Sequence, residues 1–270
     1  MNDLRDALGT LHSPCEGEPR IVSLVPSLTE LLCQLGLAAN LVGRSGFCIH
    51  PREIVQGIPK MGGTKDADIA AIRAAAPTHL VVNIDENRRE QVDEIARFVP
   101  HVVVTHPNTP ADNLALFRLL GGLFRREARA EALAADFRAA REALRRATER
   151  LPRERVLYLI WKDPWMSVSR QTYISAMLAA AGWDTLPEDS EIRYPQIDAV
   201  SQGLTFADRV LLSTEPYRFA EQHVAEAEAR FGSPAQLIDG EMVSWYGSRA
   251  AAGLRYLARL RQARPGQSRG

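Results

Sequence analysis

The 270-residue chain is long enough for one large domain or two small lobes with cores of their own. Its 33 basic and 33 acidic side chains cancel to a net charge of +0, so no global field points to nucleic acid or an acidic membrane surface. Cys15, Cys33 and Cys48 are odd in number and lack CxxC spacing, which speaks against a disulfide framework or a zinc knuckle.

The first twenty residues, MNDLRDALGTLHSPCEGEPR, have no apolar core and are interrupted by Asp3, Asp6, Glu16 and Glu18. They do not read as a secretory signal, and no stretch approaches the roughly 18 apolar residues of a membrane span. The expectation is a cytoplasmic protein, or a periplasmic one if the start is misassigned.

Ile21, Val22, Leu24 and Val25 form a short apolar run suited to a strand buried on both faces, ended by Pro26. Ser27 then reads as a helix cap, with Glu30 as the other half of a capping box and Gly36 as the stop. NLVGRS predicts a strand, DADIAAIRAAAP a helix closed by Pro77, THLVVNI a strand, NRREQVDEIARFV a helix and HVVVT a strand. Alternation in short units predicts a parallel sheet with crossover helices.

From Ala111 to Leu151 no strand signal occurs, and Gly121 and Gly122 are placed to split the region into two helices. The second is expected from about Arg126 to Leu151. Its stripe of Leu133, Phe137, Ala140, Leu144, Ala147 and Leu151 recurs every three or four residues. At 1.5 Å per residue such a helix is on the order of 37 Å long, enough to join two lobes.

Alternation then resumes with RVLYLIW, the helix QTYISAMLAAAGW, RVLLS, the helix FAEQHVAEAEARF, AQLID and a closing helix from Ser248. The predicted architecture is α/β: two parallel-sheet α/β lobes joined by one long backbone helix, with a ligand cleft between the lobes. The expected boundaries are 20–110 for the first lobe, 111–151 for the helical linker and 152–262 for the second lobe.

Open parallel sheets bind ligands at the carboxyl ends of their strands. The segments there carry Trp161, Trp165 and Trp245 and the tyrosines 173, 194, 217 and 246. Aromatic loops suit a large, partly flat ligand. The ligand-binding candidates are Glu86, Arg88, Trp165, Arg193, Tyr194, Glu215, Tyr217, Glu241, Trp245 and Arg249. Trp161 is balanced between core and site, and Tyr246 between the site and burial under the closing helix. Arg88 and Arg249 sit at helix starts, the wrong end for simple dipole stabilisation, which favours another role.

The six histidines show no HxH or HExxH spacing. His79 and His101 begin strands, away from the expected site. His50, His106, Glu86, Glu215 and Glu241 could converge on a bare metal ion. No GxSxG elbow, Walker A loop or GxGxxG turn is present, and no catalytic residue is assigned.

RIVSLVPSLTELLCQLGL, IPKMGGTKDADIAAIRAAAPTHLVV, the joining helix, DPWMSVSRQTYISAMLAAAGWDTL and RYPQID resemble the helical-backbone substrate-binding proteins of ABC importers, which bind cobalamin, ferric siderophores or haem. The resemblance runs from about Arg20 to Leu260 and is closest to the vitamin B12-binding branch. It is also similar to a subgroup described as helical-backbone metal receptors, in IDENRREQVDEIARF, YLIWKDPWM, STEPYRF and DGEMVSWYGSR.

The resemblance implies a binding protein for a metal chelate, with a corrinoid or iron chelate as ligand and no covalent chemistry. A bare metal ion, or an enzyme working on a bound chelate through Glu86, Glu215 and Glu241, are the alternatives. Importer-docking relatives carry one acidic residue on each lobe. Here the corresponding positions are Ala70 and Val200 or Ser201, with Asp68 and Asp198 close by, which puts docking to a permease in doubt.

Overall fold

In the computed structural model, residues 4–197 and 207–263 are described. The chain forms two compact units. The first comprises Met1–Pro107, Ala111–Asp136 and Tyr246–Arg249, and the second Asn108–Pro110, Phe137–Trp245 and Ala250–Gly270.

The first unit begins with β1 (Ile21–Ser23), α1 (Pro26–Gln34), β2 (Leu41–Arg44), α2 (Arg52–Val55) and α3 (Ile69–Ala75). It continues with β3 (His79–Asn83), α4 (Arg89–Ile95), β4 (His101–Thr105) and α5 (Asp112–Leu123). The strands are all parallel, in the order β2-β1-β3-β4. Every residue of β1 and β3 is buried, as expected of apolar runs covered on both faces by crossover helices. Val22, Leu24, Ile72, Leu80, Val82 and Ile95 meet in one core cluster, each burial stabilising by roughly 1.5–3 kcal/mol.

Two local readings change. The first helix starts at Pro26, not after a capping Ser27. Proline suits a first helical turn because its missing N–H would have no intrahelical acceptor there. The cap position passes to Val25, which has no side-chain acceptor to offer, so no capping box forms. Gly121 and Gly122 do not break the helices either, for both lie in the last turn of α5. The break falls at Arg125, whose φ is 54°. The glycines serve close packing instead: a Cβ on Gly121 would collide with the Ala130 side chain, and one on Gly122 with Leu4.

α6 (Glu127–Thr148) has 22 residues, with Asp136 the last counted in the first unit and Phe137 the first in the second. Phe137, Ala140 and Leu144 of the expected stripe are buried, joined by Ala130 and Ala134. Leu151 lies beyond the helix and is 36% exposed.

The second unit contains β5 (Glu154–Trp161), β6 (Met166–Ser167), α7 (Tyr173–Ala180), β7 (Trp183–Leu186) and β8 (Arg209–Ser213). It ends with α8 (Val224–Phe231), β9 (Ala235–Ile238), α9 (Gly240–Ser244) and α10 (Ala250–Gln262). β7, β5, β8 and β9 are parallel neighbours in that order, and β6 runs antiparallel against the end of β5. The helix expected over residues 171–183 stops at Ala180. Gly182 turns the chain at φ 82°, and Trp183 opens β7.

The two sheets have the same topology. Numbering the parallel strands of each unit by their order in the chain gives 2-1-3-4 in both. Each sheet therefore has its topological switch point between its first and third strands, β1 and β3 in one unit and β5 and β8 in the other.

Candidate functional site

At the switch point of the first unit, the loop after β3 carries Glu86. Its backbone is fixed by two asparagines. Asn87 Oδ1 accepts from the Asn83 amide at 2.9 Å, Asn83 Oδ1 accepts from the Asp85 amide at 2.8 Å, and Asn87 Nδ2 donates to Thr64 O at 2.9 Å. Short polar side chains that mimic backbone turns explain why this loop folds as it does. Tyr246 comes from the far end of the chain, and its hydroxyl donates to Glu86 Oε1 at 2.8 Å. Burial, and then the Glu86 charge, push the phenol well above its ordinary pKa, so it stays a donor at neutral pH.

The neighbouring loops expose apolar side chains: Phe47 is 62% exposed and Ile49 50% after β2, and Ile84 43% after β3. Ser27, after β1, is buried, and its hydroxyl bears on the Tyr246 phenol.

The second unit repeats the arrangement. Glu215 follows β8 and is largely buried. Ser244 Oγ donates to its Oε1 at 2.5 Å and Trp245 Nε1 donates to the same oxygen at 2.8 Å. The supporting turn is built by Asp239, which caps α9 through the Met242 amide at 3.3 Å, and by Thr214 Oγ1, which accepts from the Gly240 amide at 3.0 Å. Gly240 is required here, since a Cβ would stand 2.6 Å from Glu215 Cγ and 2.8 Å from its amide nitrogen. Burial raises the Glu215 pKa and the Glu241 charge adds to it, while the Ser244 and Trp245 hydrogen bonds oppose the rise. Trp161, at the end of β5 and 41% exposed, meets Tyr217 edge-on at 5.6 Å across the same switch point.

Of the ten expected residues, the structure therefore groups Glu215, Glu241 and Trp245 at one turn, while Glu86 is held by Tyr246. Tyr217 pairs with Trp161. Arg88 is exposed and occupies the cap position of α4. Arg193 donates to Gln171 O at 2.6 Å and to Asn108 Oδ1 at 3.0 Å, and its neighbour Tyr194 is 37% exposed.

Two residues stand apart. Trp165 is only 7% exposed and packs in the core of the second unit, stacked on Phe219 at 5.9 Å and edge-on to Phe231 at 5.5 Å. Arg249 is held by Glu30 through two hydrogen bonds, Nε to Oε2 at 2.9 Å and Nη2 to Oε1 at 2.7 Å. Glu30, read as half of a capping box, is thus the anchor of Arg249. The sequence singles out no role for Ser244 and leaves Tyr246 and Trp161 balanced between site and core. The signal available for the first two was their place in the loop after the last strand.

Histidines are distributed as structural groups. His79 stacks on His101 at 4.8 Å, and burial lowers its pKa to about 4. His12 lies 3.2 Å from Asp6 and His106 3.4 Å from Asp85. Among the described residues no group of three or more His, Cys, Asp or Glu side chains could hold a metal ion, so His50, His106 and the three glutamates do not assemble into one. No helix among the described residues is long and apolar enough to cross a membrane. Ala70 is exposed on α3, and Asp68 beside it spends its carboxylate on the Ala71 amide at 2.9 Å. Asp198, Val200 and Ser201 lie outside the described residues.

The Glu215 environment gives an expected result. The folded pKa lies above the ordinary value of 4.5, so the folded chain binds this proton more tightly than the unfolded one. The resulting stability is present in full below about pH 4.5 and is lost as pH rises through the folded value. Glu215→Gln keeps an acceptor for Ser244 and Trp245 and removes the buried charge. Urea denaturation should show the variant more stable at pH 7, by on the order of 1 kcal/mol, with that pH step missing. Equal or lower stability at pH 7 would show that the carboxylate is not strained by burial.

A family model described as "Periplasmic binding protein" matches residues 21–200. The vitamin B12-binding protein of Pectobacterium atrosepticum is 24% identical over 183 residues, covering 66% of this chain and 65% of that protein. The chain thus spans somewhat less than two thirds of that relative's length. Among solved structures, the periplasmic vitamin B12 binding protein BtuF of Vibrio cholerae has a TM-score of 0.77 at 17% identity, over 91% of this chain and 98% of that one. The periplasmic heme-binding protein RhuT from Roseiflexus sp. RS-1 has a TM-score of 0.77 at 22% identity, with the same coverage. At these identities the two structures establish the fold alone. With the family model matching two thirds of the sequence, the chain belongs to the periplasmic binding protein family.

Proposed function

We propose that this chain binds a metal chelate of the corrinoid, siderophore or haem type and performs no covalent chemistry on it. One observation carries the reading. At the carboxyl end of each sheet, beside its switch point, a glutamate is held by an aromatic donor, Glu86 by Tyr246 and Glu215 by Trp245. Around them the loops present partly exposed apolar and aromatic surface, including Phe47, Ile49 and Trp161. Flat apolar surface with a few fixed polar groups is what a large, partly planar ligand needs. Relatives named for vitamin B12 and for heme support the same ligand class.

The test is to titrate the purified chain with vitamin B12, haem and a ferric siderophore, following absorbance and heat. A stoichiometric complex with at least one of them, with Kd in the micromolar range or below, is the expected result. Failure to bind any of the three, with stoichiometric zinc or iron in a colourless preparation, would replace the chelate by a bare ion. Turnover of the bound chelate in the same samples would move the reading to an enzyme. The family description favours a periplasmic setting, and cell fractionation tests it. Docking to an ABC permease stays outside this proposal, because Ala70 offers no charge at the expected position.

A further inference from the structure

Residues 4–15 precede the first strand and are built onto the free edge of the first sheet. β4 is the last strand in the order β2-β1-β3-β4. Val104 of that strand bonds outward through both of its backbone groups. Its carbonyl accepts from the Ala7 amide at 2.9 Å, and its amide donates to Asp6 Oδ2 at 3.2 Å. Asp6 Oδ1 accepts from the Leu8 and Thr10 amides, both at 2.9 Å, so one buried carboxylate folds the turn and ties it to the strand. Leu4 is buried beside Gly122, and the Cys15 amide donates to Leu123 O at 2.7 Å, at the end of α5. Covered in this way, Val104 offers no free edge groups to a second strand.

Three imidazoles bear on one another beside this segment. His12 belongs to it, is buried and lies 3.2 Å from Asp6 Oδ2. His79 and His101 open β3 and β4 in register and stack at 4.8 Å. His79 is 4% exposed, lies edge-on to Phe124 at 5.1 Å, and has Nδ1 at 2.8 Å from Thr78 Oγ1. Among the described residues the ionisable groups that bear on His79 are His101 and then His12. Two arginines flank the cluster. Arg125, after α5, donates to Cys15 O at 2.9 Å, and Arg20, before β1, donates to Ala75 O at 2.5 Å and Ala76 O at 3.1 Å. A proton on His79 would thus be buried against two other imidazoles with no carboxylate to compensate it.

We propose that residues 4–15 form an acid-sensitive strap, which protonation of His79 releases from the edge of β4 while the sheet beneath stays folded. Release withdraws the His12 ring and admits water to His79, and both favour the imidazolium. Protonating His12 instead sets a cation beside Asp6, which favours the closed turn, so the release belongs to His79. The sign follows from proton binding. Burial, then His101 and His12, lower the His79 pKa from 6.5 to about 4 in the strapped chain. The strapped form therefore binds this proton less readily than the released one. Closure is fully favoured above pH 6.5 and loses ground as pH falls toward 4.

Amide hydrogen exchange of the full chain, followed by NMR at pH 7, 6 and 5, tests the strap. Each rate is divided by that of an unfolded peptide at the same pH. Protection of the Ala7, Val104 and Cys15 amides is expected to fall on the order of tenfold from pH 7 to pH 5. The Leu24 amide, which donates to Val81 O at 3.2 Å inside the sheet, should keep its protection within about twofold. Constant protection along the strap overturns the proposal. An equal fall at Leu24 also overturns it, because the unit then opens as a whole.

Two kinds of variant assign the parts. His79→Phe keeps a ring against Phe124 and removes the titrating group, so the acid response of the strap should shrink below about twofold. His79→Gln is the second variant, with the same expectation, should the first not fold. An unchanged response in a folded variant overturns the role of His79. Asp6→Ala cuts the latch itself and should lower protection of Ala7 and Val104 already at pH 7, with Leu24 unmoved. Strap protection retained in Asp6→Ala overturns the latch.

Discussion

Arg249→Ala is expected to lower the stability of the chain by about 3–5 kcal/mol, the usual cost of leaving one partner of a buried ion pair uncompensated. Arg249 and Glu30 have side chains only 12% and 14% exposed, and they meet through two parallel hydrogen bonds. Removing the guanidinium leaves the Glu30 carboxylate on the buried flank of α1 without it. The same segment is held to the first unit by two further bonds. The Gly247 amide donates to Asn113 Oδ1 at 2.6 Å, and the Tyr246 hydroxyl donates to Glu86. Arg249→Ala should therefore raise amide exchange at Gly247 and loosen the hold on Glu86. The double variant Glu30→Leu with Arg249→Met should recover most of the loss, because an apolar pair of similar volume pays no desolvation penalty. Chemical denaturation of the two variants beside wild type is the measurement. A loss below 0.5 kcal/mol in Arg249→Ala, with a fall in ligand affinity, would return this arginine to the ligand.

The elements most legible in the sequence are those set by local pattern. β3 reads as HLVVN and β4 as HVVVT because strands of a covered parallel sheet are apolar without alternation, and the crossover helices show a 3.6-residue stripe. β7 was hidden because Trp183 follows an alanine-rich helix with only Gly182 between them. β6 is two residues long, too short for any pattern.

Site residues were legible only by class of position. The rule that ligands gather after strand ends selects the Glu86, Glu215 and Glu241 loops. It cannot say which side chains in those loops turn inward. Trp165 lies in such a loop and still becomes core, because Phe219 and Phe231 arrive from later elements to cover it. Tyr246 reaches Glu86 across 160 residues and Arg249 reaches Glu30 across 219. No spacing rule carries information over such separations. The partners are fixed by the sheets that bring α1 and the β3 loop beside the segment Tyr246–Arg249. The capping box at Ser27 and Glu30 failed for a related reason. The local motif was present, but Pro26 had already begun the helix, and the distant arginine offered Glu30 a stronger, charged partner.

The second large effect is expected at the other end of α10. Arg261 has a side chain only 4% exposed. It donates to Pro152 O at 2.6 Å, lies 2.9 Å from Glu154 Oε1 and sits over the Trp183 ring at 5.1 Å. Glu154 also accepts from Trp183 Nε1 at 2.9 Å and lies 3.4 Å from Arg209 Nε, so one carboxylate ties together α10, β5, β7 and β8. These positive neighbours and the indole hydrogen bond outweigh burial and hold the Glu154 pKa below its ordinary value. Arg261→Ala removes the most buried cation of this network. Arg209 still compensates Glu154, so the loss should sit at the lower end of the range for a broken buried pair, about 3 kcal/mol, or on the order of 10 °C in Tm. Arg261→Lys should recover only part of it, since a point charge cannot serve Pro152 O and Glu154 together while also covering the Trp183 face. Glu215 and its donors Ser244 and Trp245 lie on other elements. The Arg261→Ala protein that remains folded should therefore keep its ligand affinity within about twofold, whereas Arg249→Ala, acting on the segment that holds Glu86, should not. Thermal denaturation and ligand titration of the two variants side by side separate an arginine that secures the fold from one that also secures the site.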